Sequence, residues 1–182
     1  GEDTLSLHDA LPISDTVKGS TEAGLEQADL FKVMANQYFD DLELVQIAER
    51  LPNLVEGSKV GILAGFENAS TFCEEDEPLH EGLERLILMF GKVGRPLYIG
   101  MTWNSENRFG GGVLSTIGLK EDGKRLLDFL SGKQIAVDFS HASDALAHDI
   151  LDYISQQDLE VPILASHSNV RAVTPVGRNL PN

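Results

Sequence analysis

Three residues able to hold a divalent cation stand just beyond short apolar runs of the chain: Glu67, His141 and His167. Glu67 follows Lys59–Ala64 (KVGILA) within Gly65-Phe66-Glu67-Asn68. Gln134–Phe139 (QIAVDF) runs into Ser140-His141, and Val161–Ala165 (VPILA) into Ser166-His167-Ser168. A fourth run, Pro96–Met101 (PLYIGM), leads to Thr102-Trp103-Asn104. One carboxylate with two neutral imidazoles is a donor set of catalytic zinc, three protein ligands leaving a position for water. The ion lowers the pKa of that water towards ~7 and so yields hydroxide at neutral pH. The same residue types also fit two hydrogen-bonded structural histidines beside a surface glutamate, and the pattern alone leaves both readings open. Asp138, three residues before His141, counts onto the opposite face of its strand and is given no part in the site.

The elements that must position these residues follow from periodicity. Each apolar run has the length of a strand that is apolar on both faces, as in a parallel sheet. Pro162 is tolerated because it stands at a strand start. Helices are expected between the runs. Leu83, Leu86, Ile87 and Phe90 form one stripe, and Leu119, Leu126, Leu127 and Leu130 a second that stops at Gly132. Ser143-Asp144 opens a third helix, with Leu146, Ile150, Tyr153 and Ile154 as its buried face. Upstream, Leu30, Phe31, Met34 and Tyr38 predict a helix over Glu22–Phe39, followed by a strand at Leu42–Val45 and a helix at Ile47–Leu54.

Strand then helix, repeated, means βα units and parallel strands. An open doubly wound sheet and a (β/α)8 barrel both fit. No GxGxxG or Walker-type loop follows a strand, which weakens a nucleotide-binding sheet. A barrel takes ~250 residues. At 182 residues the chain is expected to form a partial barrel, roughly the first half to two thirds of one. Carboxyl ends of barrel strands converge on one face, where active sites sit. Glu67, His141 and His167 can therefore meet despite their separation in sequence.

Composition bounds the function. With 42% apolar and 24% charged residues the chain reads as an ordinary globular domain. Its net charge of −15 repels phosphate backbones and argues against nucleic acid as a partner. The lone Cys73 cannot form an internal disulfide, and no apolar run approaches the ~18 residues of a membrane span. The expected location is cytoplasmic. Residues 1–20 are set apart from a domain at 21–182. LSLHDALPIS at Leu5–Ser14 has no helical or strand period and resembles translated sequencing adapter, so residues 1–14 are expected to be foreign to the natural protein.

Several other features are read as structural. His148 lies off its helix's apolar stripe, His80 near a helix start, and His8 in the irregular amino-terminal segment. Glu74–Glu77 is expected to be a solvated acidic loop, Cys73 a plain small side chain, and Gly110–Gly112 either a flexible spacer or a loop beside the substrate.

At these residues the sequence resembles the membrane (renal-type) dipeptidase family of zinc peptidases. VDFSHAS at Val137–Ser143, ASHSNVRAV at Ala165–Val173 and GRNLP at Gly177–Pro181 carry the likeness. GILAGFENAS at Gly61–Ser70, MTWNSENRFGGG at Met101–Gly112 and LEQADLFKVM at Leu25–Met34 extend it. The resemblance implies a (β/α)8 barrel with two zinc ions that hydrolyses dipeptides, some members acting on D-residues or β-lactam rings. It implies that Glu67 bridges both metals, that His141 and His167 complete the second, and that Arg178 binds the substrate carboxylate. A two-pronged guanidinium suits that last task. Trp103 and Asn104 fall where the family's substrate-side loop lies.

Departures accompany the likeness. The family's first metal also needs a His-x-Asp pair, whereas His8-Asp9 is adjacent and stands in the irregular segment. The family's later acidic residue, which helps move the proton, is not matched, and Trp103 replaces a substrate-contacting histidine of many members. The expectation is therefore a dipeptidase in the intact protein, with a homo-oligomer as an open option and at most one well-supported metal site here. This chain alone is expected to be weakly active or inactive, and prone to self-association through uncovered strand edges. Two rival classes remain: another metal-dependent amidohydrolase-type barrel, and a non-catalytic binding domain.

Overall fold

The computed structural model describes residues 20–45 and 57–181. The foreign-sequence reading of residues 1–14, His8, and the helix expected at 47–54 lie outside the described residues. Helix α1 spans Ser20–Gln37, followed by strands β1 (Leu42–Leu44), β2 (Val60–Ile62) and β3 (Gly65–Phe66) and a 3-10 turn at Ala69–Thr71. Then come α2 (Leu79–Val93), β4 (Tyr98–Gly100), α3 (Glu121–Leu130), β5 (Ala136–Asp138), α4 (Asp144–Gln157) and β6 (Ile163–Leu164). Among these helices none is long and apolar enough to cross a membrane.

Among the described residues these strands pair in parallel throughout. β1 pairs with β2, and β3, β4, β5 and β6 follow one another in chain order. The stretch carrying β2 and β3 serves two neighbours: its first half pairs with β1 and its second with β4. Sequential order decides between the two architectures. A doubly wound sheet reverses its order at a switch point and takes helices on both faces. Right-handed crossovers in unbroken order keep all helices on one face, as in a barrel. The architecture is α/β and that of a partial barrel.

The helix-covered face forms the core. Phe66, Ile99, Met101, Val137 and Phe139 from the strands meet Leu86 and Met89 of α2, Leu126, Leu127 and Leu130 of α3, and Leu146 and Ile150 of α4. Burying each such side chain contributes about 1.5–3 kcal/mol. The pleat sends alternate residues to the other face: Gly65 and Glu67, Tyr98 and Gly100, Ala136 and Asp138, with Leu164 and Ser166 in register. This is the face that would line a barrel interior.

The expected helices α2 to α4 form, with corrections. Ile87 is 52% exposed, and the inward row of α2 is Leu79, Gly82, Leu86, Met89 and Val93. Leu119 precedes α3 instead of lying on it. Ser143 caps α4, its side chain accepting from the Leu146 N–H at 3.0 Å. Of the stripe expected on α1, Phe31 packs against the core, but Leu30 is 66% exposed and Tyr38, just past the helix, 47%, while Gly24, Ala28 and Ala35 are buried. Small residues face inward because α1 lies close against the turn after β3 and α2; a methyl at Gly24 would come within 2.5 Å of Thr71.

The acidic run is only partly solvated. Glu75 and Asp76 are exposed, but Glu77 pairs with Arg85 at 2.7 Å. Arg108 donates to the carbonyls of Glu74 and Glu77 and to Asp122. Gly110–Gly112 is no spacer: all three are buried, and a methyl at Gly112 would lie 2.4 Å from the carbonyls of Trp103 and Ser105. Cys73 is fully buried, while His80 and His148 are exposed.

Candidate metal centre

Glu67 leaves the end of β3 along a fixed backbone path. Asn68 caps the following turn, its Oδ1 accepting from the Ser70 N–H at 3.1 Å and from Asn107 Nδ2 at 3.2 Å. Asn107 also donates to the Met101 carbonyl at 2.7 Å, tying the loop after β3 to the loop after β4. Gly100 makes the approach of β4 possible, because a Cβ there would meet the Glu67 carbonyl oxygen at 2.4 Å.

Asp138 organises the two histidine turns. Its Oδ1 accepts from the Ser140 N–H at 3.0 Å and the Ser166 N–H at 2.9 Å. The turn then puts His141 in the left-handed region, at φ 66°. The Thr102 hydroxyl donates to the His141 carbonyl at 3.3 Å, and the Ser143 N–H donates to Gly111 at 2.9 Å. The His167 N–H donates to Ser140 Oγ at 3.1 Å, so the two turns also fasten each other.

Three side chains converge at these ends. Glu67 Oε1 lies 3.1 Å from His141 Nε2 and 3.4 Å from His167 Nε2, and the two nitrogens are 2.8 Å apart. Zinc bonds of about 2.0–2.1 Å in tetrahedral geometry separate neighbouring donors by about 3.3 Å, so the triangle has the size a metal requires. The three could hold a metal ion, and no other such group occurs among the described residues. His141 is buried, with the Trp103 ring centroid 6.0 Å from its own, whereas Glu67 and His167 reach solvent. The hydrogen bond from His141 holds the Glu67 carboxyl below its ordinary value; partial burial opposes this, and the charges of His141, His167 and Arg178 assist.

The remaining expected residues are Trp103, Asn104 and Arg178. Trp103 stands beside His141, and its carbonyl accepts from the Val113 N–H at 3.1 Å. Asn104 follows on the same loop, its carbonyl accepting from the Leu114 N–H at 2.8 Å. Arg178 is exposed, and its charge is felt at Glu67. Arg171 fastens the turn that bears it, donating to Asp144 with both terminal nitrogens at 2.7 Å and to the carbonyls of Gly177 and Asn179 at 2.9 and 2.7 Å.

Asp138 is where sequence reasoning went wrong. It shares the face of the site and does not point away from it. The strand ends at Asp138, and the positive φ of His141 resets the two-residue alternation on which the count relied. Beyond its backbone bonds, Asp138 Oδ2 takes the Ser166 hydroxyl at 2.5 Å, and Ser166 Oγ lies 2.7 Å from His167 Nδ1. The signal for Ser140 and Ser166 was present: a serine precedes each histidine.

Comparison with known proteins identifies the family and the fold. The model of the family described as membrane dipeptidase (peptidase family M19) matches residues 6–182. A curated protein of Acinetobacter calcoaceticus, named for its place in the PQQ-III 3' region, is 27% identical over 164 residues, 86% of this chain and 47% of that one. The chain thus spans about half the length of the curated relative it matches. Among solved structures, a metallopeptidase of Rhodobacter sphaeroides liganded with a phosphinate mimic of the dipeptide L-Ala-D-Ala superposes with a TM-score of 0.74, at 24% identity. It covers 88% of this chain and 44% of its own. A dipeptidase described as an M19 metallopeptidase gives a TM-score of 0.71 at 24% identity, over 88% of this chain and 46% of its own. An amidohydrolase of Pseudomonas aeruginosa gives 0.73 at 20% identity, over 88% and 45%.

Proposed function

The chain belongs to the membrane dipeptidase family, peptidase family M19, and from that premise we propose that it carries the second-metal half of a zinc centre that hydrolyses dipeptides in the protein containing the whole barrel. The observation that carries this reading is the triangle of Glu67, His141 and His167, with donor separations of 2.8–3.4 Å. A divalent ion bound there supplies a water acidic enough to attack a peptide carbonyl at neutral pH. The chain's own residues do the rest. Glu67 and the two imidazoles offer lone pairs from three different strand ends, so the site is assembled only when the sheet is. Trp103 walls the His141 side and keeps water from its ring. Arg178 takes the free carboxylate of the substrate, which limits it to short peptides and orients the scissile bond.

Zinc titrated into the chain against a chromophoric chelator tests the site. One equivalent should bind, and His141→Ala should abolish binding. Retention of stoichiometric zinc by that variant would overturn the assignment, and a wild-type chain that binds none would favour a non-catalytic domain. In the whole protein, dipeptides with a free carboxyl end should be cleaved and their amides spared. Equal turnover of the amides overturns the role of Arg178, and preference for cyclic amides moves the enzyme to the amidohydrolase class.

A further inference from the structure

His167 is the more exposed of the two imidazoles, and a ligand on a solvent-reaching turn must be held in one orientation and one tautomer to bind metal. Its Nε2 belongs to the donor triangle, so its Nδ1 must carry the proton. Nδ1 faces Ser166 Oγ at 2.7 Å, and Ser166 Oγ faces Asp138 Oδ2 at 2.5 Å. Asp138 is buried, and as a carboxylate it offers only acceptors. Ser166 has one hydroxyl proton, and the short contact to Asp138 claims it. The Ser140 hydroxyl, 3.4 Å from Ser166 Oγ, brings a proton of its own. Ser166 Oγ is therefore left to accept from His167 Nδ1–H.

We propose that Asp138 and Ser166 form a positioning relay, Asp138 to Ser166 to His167, that locks His167 as the Nδ1–H tautomer with its Nε2 lone pair turned to the metal. The same carboxylate also accepts from the backbone N–H groups of Ser140 and Ser166, so the group that sets the tautomer also fixes both histidine turns. A metal-ligating histidine commonly gives its other ring N–H to a carboxylate or carbonyl. Here a hydroxyl is interposed, and that makes the direction of the hydrogen bonds reversible. In Asp138→Asn the amide oxygen must stay on the two backbone N–H groups. The amide nitrogen then faces Ser166 and donates to it. Ser166 in turn donates to His167 Nδ1, which moves the ring proton to Nε2 and removes the lone pair from the metal side. An Asp→Asn change beside the catalytic histidine of serine proteases acts through the wrong tautomer in the same way.

The inference rests on the metal-site reading, but the first measurement needs no metal. Long-range 1H–15N correlation on the metal-free chain, with imidazole nitrogens labelled, should show His167 as Nδ1–H in the wild type and in Ser166→Thr. Ser166→Ala should show mixed tautomers, and Asp138→Asn Nε2–H. Zinc affinity by chelator competition should fall about 10–100-fold in Ser166→Ala, fall further in Asp138→Asn, and return in Ser166→Thr. Nε2–H in the wild type overturns the relay even where the variants fail to fold. So does an unchanged tautomer with unchanged affinity in Ser166→Ala. A correct tautomer in a chain that binds no zinc overturns the metal reading and leaves the relay standing.

Discussion

Replacing Gly100 by alanine tests whether strand packing sets the ligand geometry. The added Cβ would lie 2.4 Å from the Glu67 carbonyl oxygen, 3.0 Å from its carbonyl carbon and 3.5 Å from the Phe66 oxygen. All three are backbone atoms of the neighbouring strand and cannot swing aside like a side-chain end. Real Cβ atoms come essentially no closer than 3.0 Å, so Glu67 must retreat from β4 by at least about 0.6 Å. Metal sites hold their ligand distances to about ±0.2 Å. The expected outcome is at least a tenfold weaker affinity for zinc, about 1.4 kcal/mol, with about 1–3 kcal/mol lost from fold stability. Gly91→Ala is the control. Gly91 is exposed on α2 with nothing within 4 Å of a built Cβ. That change should stabilise by about 0.8–1 kcal/mol and leave zinc binding alone. Chelator competition and urea denaturation read both quantities. Wild-type zinc affinity and stability in Gly100→Ala would refute the reasoning.

Two further outcomes concern the frame. Arg85 clasps Glu77 with two hydrogen bonds of 2.7 and 3.0 Å and donates to the Phe72 carbonyl at 2.6 Å, so Arg85→Ala should cost about 2–3 kcal/mol at pH 7 in denaturant unfolding. The hydrogen bond from Arg85 lowers the Glu77 pKa from 4.5. The wild type's advantage over this variant should be complete above about pH 4.5 and shrink as the pH falls through the depressed value; an advantage that holds down to pH 2 contradicts the pairing. Burial pushes the Cys73 thiol up to about 12. Iodoacetamide at pH 8 should label it only after unfolding, and rapid labelling of the folded protein counts against its buried place.

Much of the site was legible because strand ends are legible. A short apolar run followed by Glu or His places that residue at a carboxyl end, and parallel pairing then gathers the three. The runs proved longer than the paired strands: Val161–Ala165 yields only Ile163–Leu164, since an apolar residue without a ladder partner remains loop. Side-chain size misled in part in α1: Phe31 reaches the core as expected, but the fully buried residues are small because the helix packs close. Asn107 and Arg108 were invisible to periodicity. They act in a loop through individual hydrogen bonds, and no repeat announces a residue whose partners come from Asn68, Glu74 and Asp122. The tautomer of His167 was beyond sequence altogether, for it depends on which oxygen stands 2.7 Å from Nδ1.

The guanidinium of Arg171 is already committed to Asp144, Gly177 and Asn179 before any guest arrives. The segment presenting Arg178 is thereby ordered during folding, and an incoming anion need not freeze it at its own expense. The clasp itself is a solvent-reaching pair of opposite charges, which concentrated salt weakens. If Arg178 takes a substrate carboxylate as proposed, ionic strength would act on recognition twice, by screening the visiting anion and by loosening the bracket that aims the guanidinium.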